Sequence, residues 1–241
     1  MTYVCYSTAM RGLARPVRVA VVADLHNGEY DDVLQICADT QAEMILVPGD
    51  FVNSPTQTAR GFAFLEKAAR LAPTFCSIGN HEVSCGIDDL AAAVGKTGAR
   101  LLDNECAFSH GIWIGGLSSG YTRGMQQGRT KPTPPPDRRF LATFAGIEGC
   151  RLLLCHHPEY YEPYLKETSI PLIVSGHAHG GQWELFGRAI FAPGQGLFPR
   201  YTAGFYDGRL VVSRGASNPH PIIPRICNPC EVVLIDIWPA Q

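Results

Sequence analysis

Short apolar runs that end at a polar residue recur in the first hundred positions of the chain. Val17–Ala23 and Met44–Val47 are rich in β-branched residues, and an aspartate or a Pro-Gly-Asp triplet follows each of them. Such runs are typical of strands that are buried on both faces of a sheet. A third strand is predicted over Pro73–Ile78.

Between these runs, apolar residues recur at helical spacing. The stripes predict helices over Asp31–Gln41, Thr56–Leu71 and Ile87–Thr97. The alternation of strand and helix favours an α/β unit whose functional groups lie in the loops that follow its strands.

After residue 100 the predicted strands become shorter and more numerous. They are predicted over residues 100–102, 107–108, 112–117, 151–155, 172–175, 204–213 and 232–237, with a two-residue turn at Asp207-Gly208. Prolines favour an exposed loop over residues 128–137. We expect one domain over residues 1–241 that contains two mixed sheets with helices outside, preceded by an N-terminal extension over residues 1–16.

Composition and charge exclude several classes of protein. The formal net charge is −2 and basic residues are not clustered, so a nucleic-acid-binding surface is not expected. Neither a transmembrane segment nor a secretory signal is evident, which favours the cytoplasm. The nine cysteines favour reduced, buried thiols, and Cys227 and Cys230 lack the second pair that a structural zinc site requires.

Histidine, aspartate or asparagine follows five of the apolar strands. The segments are Ala23-Asp-Leu-His26, Pro48-Gly-Asp50, Gly79-Asn-His-Glu82, Cys155-His-His157 and Gly176-His-Ala-His179. One polar strand end is ordinary, whereas five, three of them with an adjacent glycine, indicate a site that is assembled from several loops.

These segments offer seven oxygen or nitrogen ligands, which is enough for two metal ions that share Asp50. In an extended chain the members of the pairs Asp24/His26 and His177/His179 would each point to one side. Individually, Asp24 could cap a turn, Asn80 could occupy a left-handed turn and His156 could be a core histidine. Jointly, the seven positions favour a metal site without thiolate: Asp24, His26, Asp50, Asn80, His156, His177 and His179.

The five segments resemble the D-x-H, G-D, G-N-H-[DE], H and G-H-x-H blocks of the calcineurin-like metallophosphoesterase superfamily. The segments Ser175–Gln182 and Gly204–Gly215 resemble the bacterial branch that contains the YkuE and YaeI phosphodiesterases and the LpxG hydrolase. The resemblance implies an α/β fold in four layers, a sandwich of two mixed sheets flanked by helices.

The resemblance also implies a role for each matching residue. Asp24, His26 and His179 would bind the first metal; Asn80, His156 and His177 the second; and Asp50 would bridge the two. His81 would act as general acid or as a hydrogen-bond donor to the phosphoryl group. His156 is the expected ligand of its pair because His156-His-Pro-Glu159 matches H-x-P-[DE], and His157 would then face away. Arg214 and Arg225 are candidates for substrate binding, although the sequence favours a solvated surface position for either.

The expected activity is metal-dependent hydrolysis of a phosphodiester or pyrophosphate bond by a water or hydroxide that bridges two divalent ions. Nitrogen and oxygen ligands favour Mn²⁺, Fe or Zn²⁺ over Ca²⁺. We expect a small-molecule or lipid-linked phosphate substrate, with peripheral membrane association as an option. The alternatives are a catalytically silent scaffold of the same fold and a phosphomonoesterase or protein phosphatase.

Overall fold

Two six-stranded mixed sheets pack face to face at the centre of the fold. The computed structural model describes residues 1–125, 132–185, 188–218 and 224–240. The first sheet has the order β1-β16-β2-β3-β4-β5 and contains β1 (Thr2–Met10), β2 (Val17–Val21), β3 (Met44–Val47), β4 (Thr74–Cys76), β5 (Arg100–Leu101) and β16 (Glu231–Pro239). The second has the order β14-β15-β9-β8-β7-β6 and contains β6 (Glu105–Ser109), β7 (Ile112–Leu117), β8 (Arg151–Cys155), β9 (Leu172–Ser175), β14 (Gly204–Tyr206) and β15 (Leu210–Val212).

Helices cover the outer faces of the two sheets. The α-helices are α1 (Asp31–Asp39), α2 (Ala59–Leu71), α3 (Asn80–Cys85), α4 (Leu90–Gly95) and α5 (Arg138–Ala145). Short 3-10 helices lie at Pro158–Tyr160 and His179–Gly181, and a π-helical turn lies at Tyr161–Leu165. Two small ribbons pair β10 (Glu184–Leu185) with β11 (Arg188–Ala189), and β12 (Phe191–Ala192) with β13 (Gly196–Leu197).

Three hydrophobic clusters account for the stacking of these layers. The central cluster joins side chains of both sheets, such as Val19 and Leu152. A second cluster lies between the first sheet and its helices, and a third lies between the second sheet, α5 and the buried Tyr160 and Tyr161. The fold is therefore an α/β sandwich of four layers in the order helix, sheet, sheet, helix, which confirms the predicted fold class.

The predicted third helix is shorter than expected, and a short helix precedes it. α3 begins at Asn80 and ends before Gly86, which has a left-handed φ of 57°. α4 then begins after Asp89, whose side chain accepts a hydrogen bond from the backbone N–H of Ala92. The helix predicted over Ile87–Thr97 is therefore confirmed as α4, which is shorter than predicted because the cap at Asp89 delays its start, and α3 was not predicted.

The segment before the first predicted strand is itself a strand. β1 pairs in parallel with β16 over its whole length, from Thr2 opposite Glu231 to Met10 opposite Pro239. Val4 and Tyr6 pack against the central hydrophobic cluster, while Cys5 between them is exposed. The residues predicted as an extension therefore add an edge strand to the first sheet.

The Asp207-Gly208 turn is confirmed and the proline-rich loop is partly corrected. Asp207 and Gly208 both have positive φ, 51° and 64°, and they connect β14 to β15 as expected of a primed turn. Residues 128–131 of the predicted loop lie outside the described residues. In the described remainder Pro136 is buried and Pro134 accepts a hydrogen bond from the Tyr160 hydroxyl, so this part packs on the body of the protein.

The nine cysteines are free thiols, and five of them are buried. Cys5 and Cys227 are exposed, so the expectation of burial was wrong for these two. Among the described helices, none is long and apolar enough to cross a membrane.

Candidate metal centre

The carboxyl ends of five parallel strands place the predicted ligands side by side. Asp24 and His26 follow β2, Asp50 follows β3, Asn80 begins the helix after β4, His156 follows β8, and His177 and His179 follow β9. Because β2, β3 and β4 are parallel, as are β8 and β9, these strands end at the same edge of their sheets. The loops of the two sheets meet there.

Five of the seven side chains project from residues in the left-handed region of the backbone. Their φ angles run from 46° to 64°, and the residues are Asp24, His26, Asp50, His177 and His179. Residues other than glycine rarely adopt this conformation, and such strain is common at functional sites. The pairs Asp24/His26 and His177/His179 therefore converge through turns, and the expectation of an extended chain at these positions was wrong.

Glycines beside the ligands allow the loops to approach closely. A Cβ on Gly79 would lie 2.8 Å from the Asp50 backbone nitrogen and closer still to the Asp50 carboxylate. A Cβ on Gly176 would lie 2.7 Å from Asp24 Oδ2. No other side chain fits these two positions without displacing a predicted ligand.

The first group of ligand atoms comprises Asp24, His26 and His179, whose donor atoms lie within 4.8 Å of one another. The Nε2 atoms of His26 and His179 face each other at 3.2 Å. His26 Nε2 also lies 3.8 Å from Asp50 Oδ2.

The second group converges on His156 Nε2. This atom lies 3.0 Å from Asn80 Oδ1, 3.1 Å from His177 Nδ1 and 3.1 Å from Asp50 Oδ2. The other ring nitrogen of His156 contacts the Pro48 carbonyl at 2.9 Å, which fixes the orientation of the ring. Asp50 Oδ2 is therefore close to both groups.

The donor set fits divalent metal ions. Lone-pair-bearing atoms of imidazoles, carboxylates and an amide face one another at hydrogen-bonding distance, and the predicted ligands are buried except for His179, which is partly buried. Two facing imidazole nitrogens can share only one proton, so a cation satisfies this arrangement better than hydrogen bonds alone. Nitrogen and oxygen ligands without thiolate suit Mn²⁺, Fe or Zn²⁺.

Burial and mutual charge shift the pKa values of these side chains in opposite directions. Burial raises the pKa of Asp24 to about 6. Burial also opposes ionisation of Asp50, but the imidazoles of His156 and His81 outweigh it and hold the pKa of Asp50 well below its ordinary value. Burial lowers the pKa of His177 and of His179 well below the ordinary value. Burial opposes ionisation of His156, but Asp50 and Asp24 outweigh it and raise the pKa of His156 to about 10. Metal binding would therefore displace a proton from His156, whereas His177 and His179 are already neutral.

His81 lies beside the two groups and is oriented by the backbone. Its Nδ1 contacts the Asn53 carbonyl at 2.5 Å, and its backbone N–H donates to Asp50 Oδ1 at 2.9 Å. Nε2 lies 4.0 Å from Asp50 Oδ2, and the side chain is 28% exposed. Because a carbonyl only accepts hydrogen bonds, Nδ1 carries a proton and Nε2 faces the open side of the site.

Glu82 stabilises the loops of the site, a role that was not predicted from the sequence. Its buried carboxylate accepts hydrogen bonds from the backbone N–H groups of Asp50 and Gly79 at 2.8 Å and of Val52 at 3.2 Å. Burial, together with Asp50, raises the pKa of Glu82 to about 7. Glu82 therefore joins the loops after β3 and β4. Its position at the end of the G-N-H-[DE] block is the sequence feature that could have indicated this role.

His157 does not face away from the site as expected. β8 ends at Cys155, so the alternation of a strand does not continue, and the buried His157 ring packs on His177 with a centroid distance of 4.5 Å. Its Nε2 contacts the Ser119 hydroxyl at 2.8 Å. His157 thus supports the ring of a predicted ligand.

Glu159 is a second residue that the sequence analysis left without a role. Its carboxylate lies 3.3 Å from His157 Nδ1 and 3.7 Å from His177 Nε2, and it accepts a hydrogen bond from Thr133. Burial opposes ionisation, but His177 and His157 outweigh it and lower the pKa of Glu159 to about 2. Glu159 occupies the last position of the H-x-P-[DE] match, and this is the sequence feature that could have indicated its role.

Arg214 and Arg225 are not the solvated surface residues that the sequence favoured. Arg225 Nη2 lies 3.2 Å from His179 Nδ1, and Nη1 donates to the Arg214 carbonyl at 2.6 Å. The Arg214 guanidinium pairs with the buried Glu231 at 3.0 Å. Arg225 is therefore placed beside the first group of predicted ligands, and the Arg214 carbonyl holds its guanidinium in that position.

Comparison with known proteins gives the same family over most of the chain. The model of the calcineurin-like phosphoesterase family matches residues 17–181. A Helicobacter pylori protein described as an uncharacterized metallophosphoesterase is 24% identical, with 95% of this chain and 62% of that protein covered. The Escherichia coli phosphodiesterase YaeI is 25% identical, with 93% of this chain and 83% of that protein covered. The solved structure of a phosphopantetheinyl hydrolase from Mycobacterium tuberculosis has 13% identity and a TM-score of 0.47, covering 83% of this chain and 89% of that chain. This chain spans about three fifths of the length of the Helicobacter relative, 62%.

Proposed function

This chain belongs to the calcineurin-like phosphoesterase family, and on that premise we propose that it hydrolyses phosphodiester or pyrophosphate bonds with the help of two divalent metal ions. The first ion would bind to Asp24, His26 and His179, the second to Asn80, His156 and His177, and Asp50 would bind to both.

The position of Asp50 is the observation that carries this proposal. Its Oδ2 lies 3.1 Å from His156 Nε2 in one group and 3.8 Å from His26 Nε2 in the other. A single tetrahedral ion needs only four ligands, whereas seven side chains converge here with one carboxylate between them. Two ions that share Asp50 use all seven.

Two divalent ions in this site would supply the positive charge that holds a phosphoryl group and would lower the pKa of a bound water toward neutrality. Asp50 would set the distance between the two ions, because Glu82 holds the backbone of the Asp50 loop in place. The Asn80 amide would provide a neutral oxygen ligand, which limits the negative charge that a phosphate meets.

His81 would transfer a proton to the leaving oxygen. Its Nδ1–H donates to the Asn53 carbonyl, so the exchangeable proton resides on Nε2 at the open side of the site. A general acid that is held in this way needs no reorganisation when the phosphorus–oxygen bond breaks.

Arg225 would add positive charge where the substrate enters. Its guanidinium lies against His179 and is held in place by the carbonyls of Arg214 and Ser217. Arg214 would contribute to substrate binding through Arg225, since its own guanidinium is paired with Glu231.

A small-molecule or lipid-linked phosphate is the proposed substrate class. The relative YaeI is named a phosphodiesterase, which supports a diester over a phosphoprotein. A panel of nucleotide diphosphate sugars, cyclic nucleotides, glycerophosphodiesters and aryl phosphodiesters would identify the bond that is cleaved.

Substitution of the shared carboxylate tests the proposal. We expect Asp50→Asn to abolish hydrolysis of an aryl phosphodiester with Mn²⁺, because the amide keeps the shape of the side chain and removes its charge. The Asn amide can still accept the His81 N–H at Oδ1, so the fold should persist, as judged by circular dichroism and thermal unfolding.

Asp236→Asn is the matched control. Asp236 pairs with Arg18 in the first sheet, remote in sequence from the ligand loops, and its substitution should leave hydrolysis unchanged. Full activity of folded Asp50→Asn would refute the proposal.

A further inference from the structure

Exposed hydrophobic side chains gather just beyond the last histidine of the metal centre. Five of the eleven large hydrophobic residues that are exposed in the described part of the chain belong to this region: Trp183, Leu185, Leu197, Phe198 and Ile226. Isolated exposed apolar residues are ordinary, whereas contiguous groups mark interaction sites.

Backbone pairing places four apolar residues in one row. Ile226 forms a bridge with Trp183, the Ile190 N–H donates to the Trp183 carbonyl at 3.0 Å, and the Phe198 N–H donates to the Ile190 carbonyl at 2.9 Å. These contacts continue the registers of the β10–β11 and β12–β13 ribbons by one residue. Neighbouring backbones are about 4.8 Å apart in a sheet, so the row is roughly 14 Å long.

The same register adds Leu185 and Arg188 to the face that bears this row. Side chains alternate between the faces of a ribbon, so Leu185 shares a face with Trp183, and its partner Arg188 shares it too. Ala189 projects from the opposite face and is buried, which shows that the face with Trp183 points outward. We call this surface the ribbon face: Trp183, Leu185, Arg188, Ile190, Phe198 and Ile226. Leu197 pairs with Phe191 and therefore projects from the other side of the ribbon.

The chemistry of the ribbon face is amphipathic. The Trp183 indole N–H donates to the Pro224 carbonyl at 3.0 Å, so its polar edge is satisfied while its side chain stays 42% exposed. Phe198 is the most exposed member at 73%. Arg188 is exposed and forms no ion pair with any described residue. Tryptophan and arginine beside aliphatic side chains are typical of surfaces that lie at the boundary between water and lipid.

We propose that the ribbon face docks on the surface of a lipid bilayer that carries anionic headgroups. Apolar side chains would enter the boundary between headgroups and acyl chains, and Arg188 would meet a lipid phosphate. A second copy of the chain fits less well. The four exposed hydrophobic side chains of the face present on the order of 400 Å², less than the roughly 800 Å² per partner of a stable interface.

The position of the ribbon face gives docking a consequence for catalysis. Ile226 directly follows Arg225, which contacts His179, and Trp183 lies four residues after His179. The Asn228 side chain joins the two segments by donating to the His179 carbonyl at 2.6 Å and the Gln182 carbonyl at 3.3 Å. Docking would therefore hold the loop of the metal centre against the membrane surface.

Co-sedimentation of the full chain with vesicles tests this proposal without any measurement of activity. We expect binding to vesicles of phosphatidylcholine with phosphatidylglycerol, and at least tenfold weaker binding by the double variant Leu185→Ser/Phe198→Ser. Arg188→Gln should remove the preference for the anionic vesicles over pure phosphatidylcholine.

Phe108→Ser is the matched control, because Phe108 is 59% exposed on the edge strand β6, outside the ribbon face. This variant should bind vesicles like the unsubstituted chain. Absence of binding to anionic vesicles would overturn the proposal, as would equal binding by the folded double variant. A dimer seen by sedimentation velocity that the double variant dissociates, without vesicle binding, would show that a second copy occupies the face instead.

Discussion

The hydrogen bond from His81 to the Asn53 carbonyl determines how this residue can act. With Nδ1–H committed to the backbone, proton transfer is confined to Nε2, 4.0 Å from Asp50 Oδ2. A residue that transfers a proton, and does not bind metal, can be removed without loss of the metal ions.

We therefore expect His81→Ala to lower kcat by about 10²- to 10⁴-fold, the usual contribution of general acid catalysis. Its metal content should equal that of the unsubstituted chain, measured by inductively coupled plasma mass spectrometry. A substrate whose leaving group needs no protonation should lose less activity. Loss of metal ions in this variant would instead assign His81 to the ligands.

The residues in the centre differ in how readily the sequence reveals them. The seven proposed ligands follow apolar strands and stand in short motifs, so their type and spacing indicate metal chemistry. Glu82 and Glu159 act through contacts with backbone N–H groups and with other side chains, and those contacts exist only after the loops have met. Arg225 reaches His179 from 46 residues away, a contact that no local pattern indicates.

At the scale of elements, the loops after the strands must approach more closely than most side chains allow. Gly79 has a φ of −91°, which an alanine tolerates, so the backbone conformation does not require glycine. The requirement is space, because the Asp50 loop lies where a Cβ would be.

Gly79→Ala should therefore displace the Asp50 carboxylate and lower aryl phosphodiester hydrolysis by roughly 10²-fold, the effect of a displacement of about 1 Å. Gly95→Ala is the control: Gly95 ends α4 with no atom within 4 Å of a Cβ, so this variant should keep full activity and gain up to about 1 kcal/mol of stability. Kinetics and thermal unfolding of both variants measure the difference. Equal activities of Gly79→Ala and Gly95→Ala would show that the Asp50 loop tolerates a Cβ at position 79.

The elements that the sequence predicts best are those that hydrophobic periodicity alone determines. β2, β3 and β4 are buried apolar runs, and α1 and α2 have clear apolar stripes. β1 was not predicted as a strand because it lies at a sheet edge and acquires its partner, β16, from the other end of the chain. α5 has only two buried residues, so its apolar signal is short.

At the scale of the whole molecule, the four layers bring the ends of two sheets to one edge. Neither sheet alone supplies the proposed metal centre: Asp24, His26, Asp50 and Asn80 follow strands of the first sheet, and the other three proposed ligands follow strands of the second. The central hydrophobic cluster that joins the sheets therefore also sets the distance between the two groups of ligands.

Two metal ions bound by seven side chains are the central feature of the proposed site, and metal analysis tests this feature most directly. After incubation with Mn²⁺ and removal of unbound ions, mass spectrometry should find about two ions per unsubstituted chain, fewer than two in Asp50→Asn, and two in His110→Asn, a histidine outside the site. Binding of a single ion, or none, by the unsubstituted chain would contradict the two-metal centre, and two ions in Asp50→Asn would remove Asp50 from its shared position.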